Sequence, residues 1–329
     1  MSVATGRSPG ATSSGEREVA QPIRAAVVGA GYLGTFHAEK YAAASGCRLV
    51  GVADVDLPRA RALAERLGCA AVADVRDLLG SIDCASVVVP TVHHLEVGEE
   101  LLRSGVDCLV EKPLAASAAE AARLVAAARE GGRILQVGHL ERFNPALTRL
   151  AGVIDRPRFI ECHRLAPFTV RGADVDVVRD LMIHDLDLVR LLVPDEIVSI
   201  EAVGVPVVTP QVDIANARLR FAGGCIANVT ASRVSAKRER KLRLFQPDVY
   251  IAIDLAERSV RVCRRRHDER GVPEIGWEQV DLGEADALAR EIHAFLASVR
   301  TRARPAVTGE DGLAALELAE RVLAVMERA

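Results

Sequence analysis

Residues 23–54, IRAAVVGAGYLGTFHAEKYAAASGCRLVGVAD, join two apolar stretches through a glycine motif and a helical pattern. Gly29, Gly31 and Gly34 form G-x-G-x-x-G directly after the apolar stretch AAVV. In this context the glycines permit a tight turn, a close approach of a pyrophosphate and close helix–strand packing. Asp54 ends the second apolar stretch, where a carboxylate accepts hydrogen bonds from ribose hydroxyls. The stretch therefore predicts a dinucleotide-binding βαβ unit.

The acid at position 54 also predicts which dinucleotide binds. A carboxylate there repels a 2′-phosphate and favours NAD over NADP, although Arg59 and Arg61 lie close enough to keep NADP open. The competing interpretation is that the glycines serve only a tight turn. The residues that we expect to bind the cofactor in this unit are Gly29, Gly31, Tyr32, Leu33, Gly34 and Asp54.

From residue 22 to residue 140, short continuous apolar stretches alternate with alanine-rich helical stretches. Continuous apolar strands belong to parallel sheets that are covered on both faces. Strict alternation of strand and helix is typical of doubly wound α/β domains. The pattern therefore predicts an α/β fold whose N-terminal domain, residues 22–140, is a Rossmann doubly wound parallel sheet.

The pattern changes after residue 140. A helical stretch over residues 177–192 precedes longer strand-like stretches, the turn signal AGG at residues 222–224 and two amphipathic helical stretches near the end. These features predict a C-terminal α+β domain at residues 141–329 with a large, mainly antiparallel open sheet. Its final helix has the option of packing back on the first domain.

The composition excludes several classes of partner. The 329 residues include 42 Lys and Arg against 45 Asp and Glu, and only 3% are aromatic. Without a basic excess or many rings, nucleic acid is not an expected partner. No apolar stretch reaches the roughly 18 residues of a membrane span, and residues 1–21 predict a flexible tail without a secretory segment. The seven cysteines form no C-x-x-C pair, which indicates a reducing cytoplasm.

Two further segments follow strands of the predicted parallel sheet, VVPTVHH at residues 88–94 and EKP at residues 111–113. Ligands of open α/β sheets lie at the carboxyl ends of the strands, so both segments should face the crevice beside the glycine motif. Lys112 follows an apolar strand, where desolvation makes it a candidate proton donor. The alternative is a lysine that only ends a strand in water.

The segment DLMIHDLDL places Asp180 and His184 four residues apart, with Asp187 one turn further on. On a helix these side chains share one face. A histidine oriented by a carboxylate is a common general acid/base pair. A structural helix with a satisfied histidine is the alternative, and no metal is expected because H-E-x-x-H is missing and the cysteines are scattered.

The glycine motif, VVPTVHH, VEKPL and D-x-x-x-H-x-x-D occur in the order found in the Gfo/Idh/MocA oxidoreductases, and the resemblance covers residues 23–329. Members of this family use NAD(P) to oxidise or reduce sugars, sugar nucleotides and cyclic polyols. The resemblance implies a catalytic set and a second domain that covers the substrate and forms a homodimer or homotetramer through its sheet. The implied catalytic residues are Lys112, Asp180 and His184, and the implied further cofactor contacts are Pro90, Thr91, His94 and Glu111.

Residues 137–147, VGHLERFNPAL, and residues 232–254, SRVSAKRERKLRLFQPDVYIAID, narrow the resemblance. They are similar to the branch that oxidises C3 of UDP-N-acetylglucosamine and supplies a 3-keto sugar nucleotide to an aminotransferase. Three alternatives stay open: a dehydrogenase of another sugar or an inositol-type polyol, an NADP-dependent keto-sugar reductase, and a sensor that binds NAD(H) without turnover.

A polar substrate should lie where the chain crosses between the two domains. Arginines there, among them Arg171, could bind a diphosphate with two hydrogen bonds, and a phenylalanine such as Phe143 could stack on a base. The basic run at residues 237–241 is either a further diphosphate contact or a solvated edge. The predicted substrate-binding residues are His139, Arg142, Asn144, Arg164 and Phe168.

Overall fold

The computed structural model describes residues 21–169, 175–283 and 286–328. The predicted tail therefore lies outside the described residues except for its last position, and so does Arg171. The described chain forms two separate sheets flanked by helices, which confirms the predicted α/β class. Within the described ranges, no helix is both long enough and apolar enough to cross a membrane.

The first sheet has six parallel strands, as the continuous apolar stretches predict. The order β3-β2-β1-β4-β5-β6 reverses direction at β1, which places the crevice between β1 and β4. β3 was not predicted because three residues are too few to show a pattern. The strands are β1 (Ile23–Val28), β2 (Cys47–Ala53), β3 (Ala70–Val72), β4 (Cys84–Val87), β5 (Asp107–Glu111) and β6 (Leu135–Gly138).

Helices connect these strands, and α2 and α4 begin at side-chain caps while α1 begins at the glycine motif. The Asp56 carboxylate accepts from the Arg59 amide, and Gly68 ends the same helix in the left-handed conformation. The Ser117 hydroxyl accepts from the Glu120 amide at another helix start. The helices are α1 (Tyr32–Ala43), α2 (Leu57–Leu67), α3 (His94–Arg103) and α4 (Ala118–Glu130).

The second sheet has eight strands in the order β14-β13-β12-β11-β7-β10-β9-β8, and all neighbours are antiparallel except β7 and β10. Gly224, with φ +84°, forms the predicted turn between β9 and β10. The strands are β7 (Phe159–Leu165), β8 (Ile197–Val205), β9 (Ile214–Phe221), β10 (Ile226–Ser232), β11 (Glu239–Gln246), β12 (Val249–Asp254), β13 (Ser259–His267) and β14 (Pro273–Gln279).

Two strands of this sheet were missed because their patterns are atypical. β7, FIECHRL, alternates between the two faces, but one of its covered positions is an arginine instead of an apolar residue. β14, PEIGWEQ, is an edge strand with almost every residue exposed. In both strands the apolar alternation that predicts a half-buried strand is incomplete.

The remaining helices link the two sheets. α8 packs on α4 and β6 of the first half and on β8 and α6 of the second. α7 packs on α1, where Ile292 and Phe295 are fully buried beside Tyr41. The elements are α5 (Pro145–Thr148), a π-helical turn (Val178–Met182), α6 (Ile183–Leu192), α7 (Ala287–Thr301) and α8 (Gly309–Met326).

Candidate active site

The glycine motif leaves open space at one of its three glycines. A Cβ on Gly29 would lie 2.5 Å from the Val88 carbonyl oxygen, and one on Gly34 would lie 1.8 Å from the Gly29 oxygen. A Cβ on Gly31 would meet no atom within 4 Å. Gly31 also caps α1 without a side chain, so the amides at the helix start face this space. The cradle therefore suits a dinucleotide pyrophosphate.

Asp54 lies at the end of β2 and is tied to the glycine motif. Its Oδ2 accepts from the Ala30 amide at 2.6 Å, and its Oδ1 accepts from the Arg59 guanidinium at 2.7 Å. Burial opposes ionisation, but the hydrogen bonds from Arg59, Ala30 and Asp56 together lower the pKa of Asp54. The carboxylate is thus charged where the ribose of NAD would lie, and Arg59 covers its outer side.

The segment after β4 has two roles. Pro90 is exposed and Thr91 is half-buried, so both can line the crevice. His94 is buried, with Nδ1 2.9 Å from the Pro113 oxygen and Nε2 2.9 Å from the Val89 oxygen. This histidine therefore holds the two crevice loops together and is not free to contact a ligand.

Lys112 meets Asp180 across the two halves of the molecule. The Lys112 Nζ donates to the Asp180 backbone oxygen at 2.7 Å and lies 3.4 Å from Asp180 Oδ1. The Lys112–Pro113 peptide bond is cis, and the lysine side chain is 19% exposed. Two of the three predicted catalytic residues, from distant parts of the chain, are therefore in contact.

The expected pairing of Asp180 with His184 is wrong. Asp180 lies in the π-helical turn and pairs with Lys112, while Nδ1 of His184 is buried without a hydrogen-bond partner among the described residues. The prediction assumed an α-helix, in which residues four apart stack. A π-turn is wider and changes that spacing.

His184 is surrounded by positive charge. Burial, together with Lys112, Arg164, His139 and Arg240, lowers the pKa of His184 well below its ordinary value. An imidazole in this environment is uncharged at neutral pH. An uncharged His184 is thus a candidate proton acceptor.

His139 lies near this histidine and is buried, and Arg142, near His139, is mostly enclosed. His139 is 1% exposed, neither ring nitrogen has a hydrogen-bond partner in the described chain, and burial lowers its pKa. The Arg142 guanidinium pairs with Asp187 and lies 3.4 Å from Asp311. Arg142 therefore joins α6 to the start of α8 and is not a free substrate contact.

Asn144 and Arg164 are also fully engaged. The Asn144 amide donates to Glu141 at 3.1 Å, and its carbonyl caps α5. Arg164 is 3% exposed, pairs with Asp185 through two hydrogen bonds of 2.8 and 2.9 Å, and donates to Glu141 at 3.1 Å. The expected diphosphate contact of Arg164 is thus replaced by a structural one, because its donors already serve buried carboxylates.

The aromatic rings in and near the predicted site differ in exposure. Phe143 is 8% exposed and cannot stack on a base without rearrangement, whereas Phe168 is 40% exposed. Tyr32 is 69% exposed at the glycine motif and packs edge-on against Phe36, with 4.9 Å between ring centroids. Phe168 is the ring among the predicted substrate residues that a ligand can reach.

Arg240 is a candidate contact that the sequence analysis did not single out from the basic run. It pairs in register with Arg164, its side chain is 45% exposed, and its Nη1 lies 3.7 Å from Glu141 Oε1. The ammonium groups of Lys237 and Lys241 pair with a different carboxylate, that of Glu239, at 3.7 and 3.0 Å. The sequence contains a pattern that could have identified Arg240. Alternate residues of a strand share a face, so residue 240 lies on the same face of the sheet as the apolar residues at 242 and 244.

Comparison with known families and proteins identifies the two halves. Residues 23–139 match a family model described as an oxidoreductase family with an NAD-binding Rossmann fold. Residues 150–251 match a GFO/IDH/MocA C-terminal domain. The chain is therefore an NAD-dependent oxidoreductase, as the glycine motif and Asp54 predict.

Relatives extend the similarity over nearly the whole chain. The chain is 40% identical to a UDP-N-acetylglucosamine 3-dehydrogenase from Acidithiobacillus ferrooxidans over 93% of its length and 97% of the relative. The solved structure of a protein with that name from the same organism has a TM-score of 0.87 and covers 93% of this chain and 98% of its own, at 39% identity. An inositol 2-dehydrogenase from Rhizobium meliloti is 27% identical to this chain, over 91% of this chain and 95% of the relative.

Proposed function

Since the chain belongs to the Gfo/Idh/MocA family of oxidoreductases, we propose that it oxidises UDP-N-acetylglucosamine at C3 to the 3-keto sugar nucleotide. The observation that carries the proposal is the contact of Lys112 with Asp180 beside the uncharged His184. The name of the 40% identical relative supports the choice of substrate. Catalysis then needs three things of this chain: a cofactor cradle, a group that holds the hydroxyl oxygen and a base.

The cofactor cradle is built by Gly29, Gly31, Gly34 and Asp54. NAD⁺ bound there would supply the hydride acceptor for the sugar carbon. The open space at Gly31 and the ionised Asp54 would hold the pyrophosphate and the ribose, and Pro90 and Thr91 would line the same crevice.

Lys112 and His184 divide the proton chemistry. The Lys112 ammonium, held by the Asp180 backbone oxygen at 2.7 Å, donates to the substrate hydroxyl oxygen and stabilises the negative charge that develops there. Because its pKa is lowered, His184 is uncharged at neutral pH, and a neutral ring nitrogen is available to accept the hydroxyl proton. Asp180 positions the lysine instead of the histidine.

Arg240 and Phe168 are the proposed contacts with the nucleotide part of the substrate. Arg240 is accessible, and its nearest carboxylate, that of Glu141, is already shared with Arg164. A diphosphate would supply the missing negative charge. The other predicted substrate residues are proposed to stabilise the elements around Arg240 without contacting the substrate. They are His139, Arg142, Asn144 and Arg164.

A polyol such as myo-inositol is the second candidate, because an inositol 2-dehydrogenase is 27% identical over 91% of the chain. A polyol carries no phosphate, so it would leave the Arg240 charge without a ligand. The exposed rings of Phe245 and Trp277, which both contact Tyr250 on the second sheet, support a homodimer or homotetramer through that sheet. The 3-keto product is a substrate suited to an aminotransferase.

The test measures NAD⁺ reduction by the purified protein with UDP-N-acetylglucosamine, its uronic acid derivative, N-acetylglucosamine 1-phosphate and myo-inositol. We expect reduction with a UDP sugar and little with the sugar phosphate or the polyol. Reduction with myo-inositol alone would replace the sugar-nucleotide proposal by the polyol one. No reduction with any UDP sugar would contradict the proposed substrate.

A further inference from the structure

A cluster of buried titratable side chains includes Glu111, the residue before Lys112. His37 of α1, Glu111 of β5 and Glu291 of α7 come from three distant parts of the chain. One nitrogen or oxygen atom from each lies within 4.8 Å of the others. Their residues are 0%, 8% and 0% exposed, so solvent does not compensate their charges.

Glu111 is held on two sides. The Lys112 amide donates to Glu111 Oε2 at 3.2 Å, and His37 Nε2 lies 3.2 Å from Glu111 Oε1. The other ring nitrogen of His37 lies 3.1 Å from the Ser86 hydroxyl, which is 2.8 Å from the Tyr41 hydroxyl. Tyr41 can donate to Ser86 and Ser86 to His37, which leaves a proton on Nε2. This nitrogen lies close to Glu111 but makes no hydrogen bond in the described part of the chain.

Glu291 has no such donors. Both of its carboxyl oxygens are buried without a hydrogen-bond partner in the described part of the chain. The nearby Gln136 side chain donates to the Glu291 backbone oxygen at 3.2 Å, and its own side-chain oxygen has no partner there either. The cluster therefore contains more acceptors than donors, and buried acceptors without donors are costly.

A proton on Glu291 would remove both the shortage of hydrogen-bond donors and the repulsion between two buried carboxylates. Two buried carboxylates that face each other cannot both be charged, and the protonated form turns one acceptor into a donor. The titratable groups that face Glu291 are His37 and Tyr41 from α1 and Glu111 from β5. Burial and the charge of Glu111 raise the pKa of Glu291 well above its ordinary value.

We propose that Glu291 is a neutral carboxylic acid whose proton is donated toward Glu111, and that this interaction positions Lys112 from behind. Glu111 stays ionised: burial opposes this, but His37 and Lys112 outweigh it and lower its pKa. Because the Lys112 amide binds Glu111, fixing that carboxylate fixes the backbone from which the lysine reaches Asp180. The positioning role rests on the proposed role of Lys112, whereas the protonation of Glu291 does not.

Glu291→Gln and Glu291→Leu test the positioning role. Glutamine keeps a neutral donor at this position, so we expect kcat within about threefold of the wild type. Leucine leaves Glu111 without that donor, and we expect kcat to fall about tenfold to a hundredfold with little change in the KM for NAD. Loss of activity in the glutamine variant equal to that in the leucine variant would overturn the role of the donated proton.

Thermal unfolding without substrate tests the protonation state separately. A group whose pKa is raised by folding contributes stability that is lost as pH rises above its unfolded value, about 4.5 for glutamate. Glu291→Gln removes this loss, so its Tm should match the wild type near pH 5 and exceed it by about 2 °C or more near pH 8. Glu65→Gln, at an exposed position on α2, is the control and should show no such gap.

Two results would overturn the neutral acid. In the first, the Tm gap between Glu291→Gln and the wild type does not grow with pH. In the second, the glutamine variant is less stable at every pH and a chelator lowers the wild-type Tm, which would mean that a divalent cation occupies the cluster. If neither variant folds, infrared spectra of the unmodified protein decide: a neutral carboxyl band should persist near pH 8, and its absence contradicts the proposal.

Discussion

The parallel sheet and the mixed sheet bring charged side chains to the same crevice in different ways. In the parallel sheet, Asp54 and Lys112 stand at or just after strand ends, where a short motif fixes each position. In the mixed sheet, Arg164 lies within a strand on the covered face and is enclosed by Asp185 and Glu141. At the strand ends Lys112 stays partly open to a ligand while Asp54 is buried and paired with Arg59, whereas the covered Arg164 only holds elements together.

This difference separates groups that bind from groups that support. A charge at a strand end keeps part of its surface in the crevice, as the 19% exposed Lys112 does. A charge within a covered strand must be fully paired, because an uncompensated buried charge is costly. Paired charges of the second kind should affect stability when removed, and open charges of the first kind should affect activity.

Arg164→Leu is expected to have the largest effect on stability, because it removes the buried cation of the mixed sheet. It leaves Asp185 and Glu141 buried without their shared cation, which should cost about 3–5 kcal/mol of unfolding free energy. The matched control is Arg243→Leu on β11. This variant removes a part-exposed pair with Glu161 on β7, the strand that also carries Arg164, and should cost less than about 1 kcal/mol of unfolding free energy. Urea unfolding measures both, and equal losses would show that burial does not distinguish them.

His184→Gln should lower kcat about 10²–10³-fold because the variant lacks the base. In the wild type, kcat/KM should fall only below about pH 6.5, since burial and neighbouring cations lower the pKa of His184 and activity is lost as pH falls through it. His163→Gln, on the other face of the second sheet, is the control. A wild-type acid limb near pH 8, or an unchanged rate in the variant, would remove His184 from the mechanism.

Gly31→Ala and Gly34→Ala distinguish a glycine that leaves room for a ligand from one that is needed for packing in the parallel-sheet half. Alanine at position 31 meets only open space, so folding should be unchanged while NAD affinity falls about tenfold. Alanine at position 34 overlaps the Gly29 oxygen and should lower stability by about 1–3 kcal/mol. Calorimetric titration and thermal unfolding separate the two effects. Normal NAD binding by Gly31→Ala would mean that the pyrophosphate does not approach this position.

Arg240→Ala is expected to have the smallest effect. Loss of an exposed diphosphate contact should raise the KM for the UDP sugar about threefold to tenfold and leave kcat nearly unchanged. Arg238→Ala, an exposed neighbour in the same basic run, should leave both constants unchanged. Identical KM values for the two variants would assign the whole run to a solvated edge.

The sequence predicted the parallel half well because its function depends on local motifs. Gly29 to Gly34, Asp54 and Lys112 each follow an apolar strand, and the ends of parallel strands necessarily meet at one edge. The first strand of the mixed sheet was missed for the opposite reason. Its buried Arg164 breaks the apolar alternation, and only the tertiary structure reveals the acids that pair with it.

Side-chain partners within the site were harder to predict than the residues themselves. The residue types and spacing of Asp180 and His184 suggested a pair, but the π-turn directs Asp180 to Lys112 instead. Glu291 lies in an ordinary amphipathic helix, and its meeting with Glu111 depends on the packing of α7 on α1. Contacts between residues so distant in sequence leave no local pattern.

Lys112→Ala removes the proposed donor to the reacting hydroxyl oxygen and nothing else that the mechanism needs. NAD⁺ binding by calorimetry and NAD⁺ reduction with UDP-N-acetylglucosamine are measured for the variant and the wild type. We expect unchanged NAD⁺ affinity and a loss of turnover of about 10³-fold or more. Turnover close to that of the wild type would contradict this role of Lys112.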